Sequence, residues 1–195
     1  MRYGKSVVDD AELRLCGDVA GKRVIELGIS SPSNAVELAR AGARALAVDP
    51  SAEKVATVRR EAEAADVTVQ CHKSEIADLG FVTSASIDLV VASHSLHDVD
   101  DLARLLRQIH RVLKPESPFV LAGPHPIALM LGTVAGQQVV QEPYGTGKAR
   151  SISDLFMALQ RTNFRIDVMH ELPVSSARSA TTPSVLVIRA RKLGV

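Results

Sequence analysis

Residues 23–50 constrain the fold more than any other stretch. They read RVIELG, ISSPSN, AVELARAG and ARALAVDP in succession. The first piece is a short apolar run ending at Gly28, the pattern of a parallel strand buried on both faces. The third has helical spacing, and the fourth is a second buried run ending in Asp49. The order predicts a strand from Arg23 to Leu27, a helix from Ser33 to Arg40 and a strand from Ala43 to Val48. A glycine turn after one strand and an acid at the tip of the next is an arrangement that grips an adenosine. The glycine holds the turn and the acid hydrogen-bonds the ribose hydroxyls. Within the turn, Ser31 is expected at the helix N-cap and Pro32 at the first helical position.

The turn also discriminates between cofactors. A dinucleotide fingerprint starting at Gly28 needs glycine at positions 30 and 33, and both are serine. Pro32 has no N–H to offer a pyrophosphate at the helix start. NAD and FAD are therefore disfavoured.

Strand–helix alternation continues beyond this unit. Val8 to Val19 reads as a short helix, and Ser51 caps a helix running to Ala65. Val67 to Cys71 alternates as a third strand, and Ile87 to Ala92 is a fourth, buried run. Asp100 to Leu113 is an amphipathic helix stopped by Lys114 and Pro115, and Phe119 to Ala122 is a fifth strand. From Gly123 to Arg150 the period breaks into Pro, Gly and Gln, the composition of an insertion or lid. Ile152 to Gln160 is a helix capped by Ser151 or Ser153; Phe164 to Glu171 and Ser184 to Arg191 form a closing hairpin. The pattern predicts one domain over residues 1–195. Its class is α/β, a Rossmann-like three-layer sandwich with a mainly parallel seven-stranded sheet and a C-terminal antiparallel hairpin.

Composition removes several function classes. A net charge of +1 and 3% aromatic residues without tryptophan argue against a nucleic-acid footprint or a stacking platform. Hydrophobic residues reach 46%, yet no apolar run approaches the roughly 20 residues of a membrane span. The polar, acidic opening MRYGKSVVDDAEL has no signal-peptide stretch, and two cysteines without paired spacing suit a reducing compartment. A cytoplasmic location is the expectation.

V-I-E-L-G followed by A-V-D-P resembles motifs I and II of the class I S-adenosylmethionine (SAM)-dependent methyltransferases. That family usually reads E-x-G-x-G-x-G; here Glu26 and Gly28 match, while Ser30 and Pro32 replace the later glycines. SEIADLGF and IDLVVASHSLHDVDDLARLLRQIHRVLKP resemble the family's adenine loop, fourth strand and following helix. The matching positions are Glu75 and Ile76, Asp88, and Ser93 to His97. ISDLFMALQRTNFRIDVMHE and SVLVIRARK resemble a bacterial small-molecule branch, so the likeness covers most of the chain.

The resemblance implies SAM as cofactor and S-adenosylhomocysteine as product. It implies Asp49 at the ribose, Pro50 and Ile76 as an apolar slot for adenine, Glu75 at adenine N6, and Gly28, Ser30 and Ser93 along the ligand. Asp49 as a mere dipole partner of the next helix and Glu75 as a solvated loop acid are the plainer alternatives. Glu26, in a buried run, needs partners, either backbone donors or the SAM amino group. His94, His97, Asp98 and Asp100 lack a third ligand at suitable spacing, so no metal is expected. His97 or His125 is the candidate base on the substrate, with His125 and Tyr144 as candidate substrate liners. The partner expected is a small-molecule methyl acceptor, not nucleic acid or membrane, with a homodimer left open. A binding protein of the same fold that has lost SAM through Ser30 and Pro32 is the rival reading.

Overall fold

The structure is a computed structural model that describes residues 1–96, 99–146, 150–173 and 182–194. Five parallel strands carry the frame: β1 (Arg23–Leu27), β2 (Arg44–Asp49), β3 (Val69–Lys73), β4 (Leu89–Ser93) and β5 (Pro118–Pro124). Two further strands, β8 (Phe164–Leu172) and β9 (Val185–Lys192), pair antiparallel and extend the sheet. The order is β3-β2-β1-β4-β5-β9-β8. The chain runs outward from β1 through β2 to β3, then returns to the other side of β1 for β4. The crevice beyond β1 and β4 is therefore the switch point at which such sheets place ligands.

Alternation along each buried strand sends successive side chains to opposite faces. Ile25, Leu27 and Val90 pack with Leu105, Leu106 and Ile109 of α4 (Leu102–Val112) and Leu159 of α6 (Ile152–Arg161). Ala45 and Ala47 face α2 (Asn34–Arg40) and α3 (Ala52–Ala64) on the other side. Val24, Leu89 and Val120 share that side with Tyr3, Leu15 and Val19 of the N-terminal segment. The expected three layers and mainly parallel seven-stranded sheet are present.

Several expectations are corrected. The helix expected over Val8 to Val19 shrinks to α1 (Asp10–Leu13), because Arg14 turns left-handed at φ 54° and ends it. The Asp10 carboxylate then accepts from the Leu15 and Cys16 amides. Strands three and four begin two residues later than their patterns implied. Residues 123–150 are less irregular than their composition: they contain α5 (Pro126–Met130) and a hairpin of β6 (Leu131–Val134) and β7 (Gln137–Val140). Ala135 and Gly136, at φ 50° and 79°, turn that hairpin as a two-residue loop with both central residues at positive φ. Among the described residues, no helix is long and apolar enough to cross a membrane.

The β8–β9 pair contains an irregularity between Ile166 and Val168, which turns the Asp167 carboxylate to Arg189 Nε at 2.9 Å and Arg191 Nε at 2.7 Å. Partial burial pushes this carboxyl up, but the two arginine hydrogen bonds outweigh it and hold it below its ordinary value. A depressed carboxyl contributes stability above its unfolded-state pKa and loses it as pH falls through the folded-state value. Asp167→Asn is thus expected to cost about 1 kcal/mol at pH 7 and almost nothing at strongly acidic pH. Urea melts at both pH values test this; an equal loss at both would reject the ionic contribution.

Candidate functional site

At the switch point the chain leaves β1 through Gly28, whose N–H donates to the Val48 carbonyl at 2.8 Å while φ stands at 69°. Glycine is required there for a second reason. The Ser95 side chain, donating to the Leu27 carbonyl at 2.6 Å, packs onto it, and a Cβ at residue 28 would lie 2.1 Å from Ser95 Cβ.

Glu26 organises the loop that follows. Its side chain is buried, and five donors converge on it. Oε1 accepts from the Ser30 amide (3.0 Å), the Ser30 hydroxyl (2.6 Å) and the Asn34 amide (3.1 Å). Oε2 accepts from the Ser33 hydroxyl (2.7 Å) and the Ala35 amide (2.8 Å). One carboxylate offers about four lone-pair positions. Glu26 is therefore spent on the loop and the start of α2, with no acceptor capacity left for a SAM amino group. Ser30, where the family has glycine, contributes a hydroxyl to this cluster. The N-cap of α2 is Ser33, not Ser31, and the Ser31–Pro32 peptide is cis.

Asp49, at the tip of β2, is buried as well. Oδ2 accepts from the Ile29 amide at 2.8 Å and Lys54 Nζ at 3.2 Å, and Oδ1 accepts from the Ser51 amide at 2.8 Å. One lone pair of Oδ1 thus has room for a hydroxyl donor. The carboxylate faces a cleft lined by Gly28, Pro50, Glu75 and Ile76, together with Lys54, His94 and Ser95. Five residues expected at an adenosine (Gly28, Asp49, Pro50, Glu75 and Ile76) are thereby brought together. Apolar Pro50 and Ile76, a hydroxyl acceptor and the Glu75 carboxylate are the set an adenosine needs, so the residues fit the group.

A second cavity adjoins the first across Lys54, His94 and Ser95. Ile29 to Pro32 and Ser93 form one wall, and the N-terminal segment forms the other. That segment is tied across the sheet end. The Arg2 amide donates to Asn34 Oδ1, Asn34 Nδ2 and the Ser93 hydroxyl donate to the Arg2 carbonyl, and His94 Nε2 lies 2.7 Å from the Tyr3 carbonyl. A carbonyl only accepts, so Nε2 carries the proton and Nδ1 is the basic nitrogen of His94. Tyr3 is fully buried, its hydroxyl donating to Asp10.

Other expected residues fall elsewhere. His125 is fully buried with both ring nitrogens engaged: Nδ1 accepts from the Ile127 amide at 3.1 Å, and Nε2 donates to Glu171 at 2.8 Å. It caps α5 and lines neither of these cavities. Tyr144 is 46% exposed, its hydroxyl accepting from the Ile152 amide, and it lines neither cavity. Ser93 lines the second cavity rather than the cleft around Asp49. Asp88 sits at the opposite end of the sheet, accepting from the Arg23 amide and Lys114. His97 lies outside the described residues. The sequence reading assigned no role to Lys54 or Arg2. It placed His94 and Ser95 within the Ser93–His97 stretch that resembles the family's segment after its fourth strand, and weighed His94 besides as a metal candidate. Their partners are 5 to 91 residues away in the chain, too distant for a local pattern to show most of them.

Known proteins share this fold. The methyltransferase domain family matches residues 25–121, from β1 into β5. The ubiquinone biosynthesis O-methyltransferase of Xanthomonas oryzae pv. oryzae is 29% identical over 132 residues, covering 66% of this chain and 55% of that protein. The chain thus spans about half the length of the curated relatives it matches first. The crystal structure of a SAM-dependent methyltransferase from Mesorhizobium loti superposes with a TM-score of 0.78 at 23% identity, covering 93% of this chain and 96% of that one. The 1,6-didemethyltoxoflavin-N1-methyltransferase of Burkholderia thailandensis, solved with its substrate and S-adenosylhomocysteine, superposes at 0.63 and 20% identity over 95% of this chain and 75% of that one. With the sheet order, the glycine turn and the acid at the tip of β2, these matches give residues 25–121 the likeness of a methyltransferase domain and the chain the Rossmann-like fold of the SAM-dependent methyltransferases.

Proposed function

We propose that the protein transfers the methyl group of SAM to a small molecule. The observation that carries this reading is the meeting of Gly28, Asp49, Pro50, Glu75 and Ile76 on one cleft at the sheet's switch point. In this reading Asp49 receives a ribose hydroxyl, Pro50 and Ile76 sandwich the adenine edge, and Glu75 accepts from its amino group. The cavity beside Ser30 and Ser93 takes the amino-acid end. SAM, when bound, supplies a sulfonium methyl group open to in-line attack. The protein's contribution is alignment and exclusion of water. His94, fixed by the Tyr3 carbonyl with Nδ1 basic, stands on the walls of both cavities and is the residue best placed to receive a proton.

The rival, a binding protein without SAM affinity, rested on Ser30 and Pro32. Ser30 is a working part of the Glu26 cluster, which favours a loop that holds its shape by hydroxyls instead of glycines. Asp49→Ala is expected to weaken SAM binding by about 1–3 kcal/mol, the scale of a lost hydrogen bond to a charged group. Calorimetry decides the matter: equal affinity in both proteins would remove this site, and no SAM binding by the wild type would favour the rival.

A further inference from the structure

A separate hollow opens beyond the C-terminal end of β5 and the N-terminal end of its antiparallel neighbour β9, between α5 and α6. Its enclosed volume is about 40 Å³, and it widens through a mouth open to solvent. Leu96, Leu121, Pro126, Leu129, Leu155 and Leu186 make most of its wall. Arg150 contributes the one charged side chain among the described lining residues, and its guanidinium donates to the Leu96 carbonyl at 3.1 Å and to the Val99 carbonyl. The hollow shares a partition with the cleft at Asp49, because Ser95 and Val99 face the cleft while Leu96 faces the hollow. Its outer wall is anchored. The buried His125, bonded to Glu171 and to the Ile127 amide, fixes the start of α5, which carries Pro126 and Leu129.

We infer that this hollow binds an uncharged hydrocarbon body, an aromatic ring or an alkyl chain, belonging to the methyl acceptor. The inference rests on the methyltransferase reading for the acceptor's role, but the chemistry of the wall is independent of it. A charged group entering the hollow would lose its hydration and meet mostly leucine and proline side chains in exchange, because the Arg150 guanidinium is turned onto the Leu96 and Val99 carbonyls. An apolar group loses nothing and removes leucine surface from water. The position also suits the reaction: a body held behind Leu96 leaves its reactive end beside the partition, next to the cleft.

The test uses the full chain, with 4-methylphenol, 4-propylphenol, 4-hexylphenol and the charged 4-hydroxybenzenesulfonate as probes, titrated by calorimetry with and without S-adenosylhomocysteine. Affinity is expected to rise about fourfold per methylene until the hollow fills, the factor for burying one such group, and the sulfonate is expected to bind more weakly than every alkylphenol. Leu129→Gln, at a residue 36% exposed and so tolerant of change, is expected to cut 4-hexylphenol affinity about tenfold while S-adenosylhomocysteine affinity holds. Affinity independent of tail length, a sulfonate bound as tightly as 4-hexylphenol, or an unaffected Leu129→Gln variant would each overturn the inference. Tail-dependent binding without any S-adenosylhomocysteine binding would uphold the apolar site and instead defeat the methyltransferase reading.

Discussion

Gly28→Ala is expected to lose SAM binding and to melt roughly 6–12 °C below the wild type. Two costs combine. A side chain at φ 69° costs about 1–2 kcal/mol in backbone strain. A Cβ 2.1 Å from Ser95 Cβ must displace that residue, breaking its bond to the Leu27 carbonyl, at a further cost of about 1–3 kcal/mol for overpacking. Movement of Ser95 also deforms the wall shared by the cleft and the N-terminal cavity. The double variant Gly28→Ala with Ser95→Gly removes the clash and keeps the strain, so about half of the lost stability returns. Thermal melts and SAM titration of the three proteins give the answer. A single variant that melts with the wild type would mean that the contact between Gly28 and Ser95 is not limiting.

Glu26→Gln is expected to cost about 3 kcal/mol, because an NH2 group replaces an oxygen on which only donors converge. Whichever way the amide turns, it faces either Ser33 Oγ and Ala35 N or the Ser30 and Asn34 groups. The Ser33 and Ser30 hydroxyls retain weaker contacts to the Ala35 and Asn34 amides, which limits the damage. SAM affinity is expected to fall with stability, since the loop that Glu26 holds forms a wall of the N-terminal cavity. Urea denaturation read beside calorimetry checks both. A variant as stable as the wild type with intact affinity would show that the five-donor cluster does not hold the site.

The parts of the site legible beforehand are those written in contiguous pattern. Gly28 and Asp49 end buried runs, and a strand's length and direction fix where its last residue lies. Glu75 and Ile76 follow β3 by a short loop, so their side of the sheet was fixed as well. His125 and Tyr144 illustrate the opposite case. Position after β5 made His125 a reasonable ligand-side residue, but its ring was claimed by Glu171, 46 residues later, and by the turn into α5. Tyr144 was judged by its chemistry inside an irregular stretch, and its hydroxyl went to the start of α6. The β6–β7 hairpin was missed because an Ala–Gly turn lacks the Asn or Asp that usually signals one.

By itself the sequence determined the class of fold, the strand bounds of β1, the cap at Ser51, a cap at Ser151 or Ser153, and the glycine and acid that end β1 and β2. These follow from short-range rules: hydrophobic period, side-chain capping and the alternation of strand with helix. Only the tertiary structure decided which polar groups remain available to a ligand. Burial removes water as a partner, so each buried donor or acceptor must find another, and the nearest one in space can be remote in sequence. That requirement consumed Glu26 in its own loop, left one lone pair on Asp49, drew the N-terminal segment over the sheet onto Ser93 and His94, and closed both nitrogens of His125.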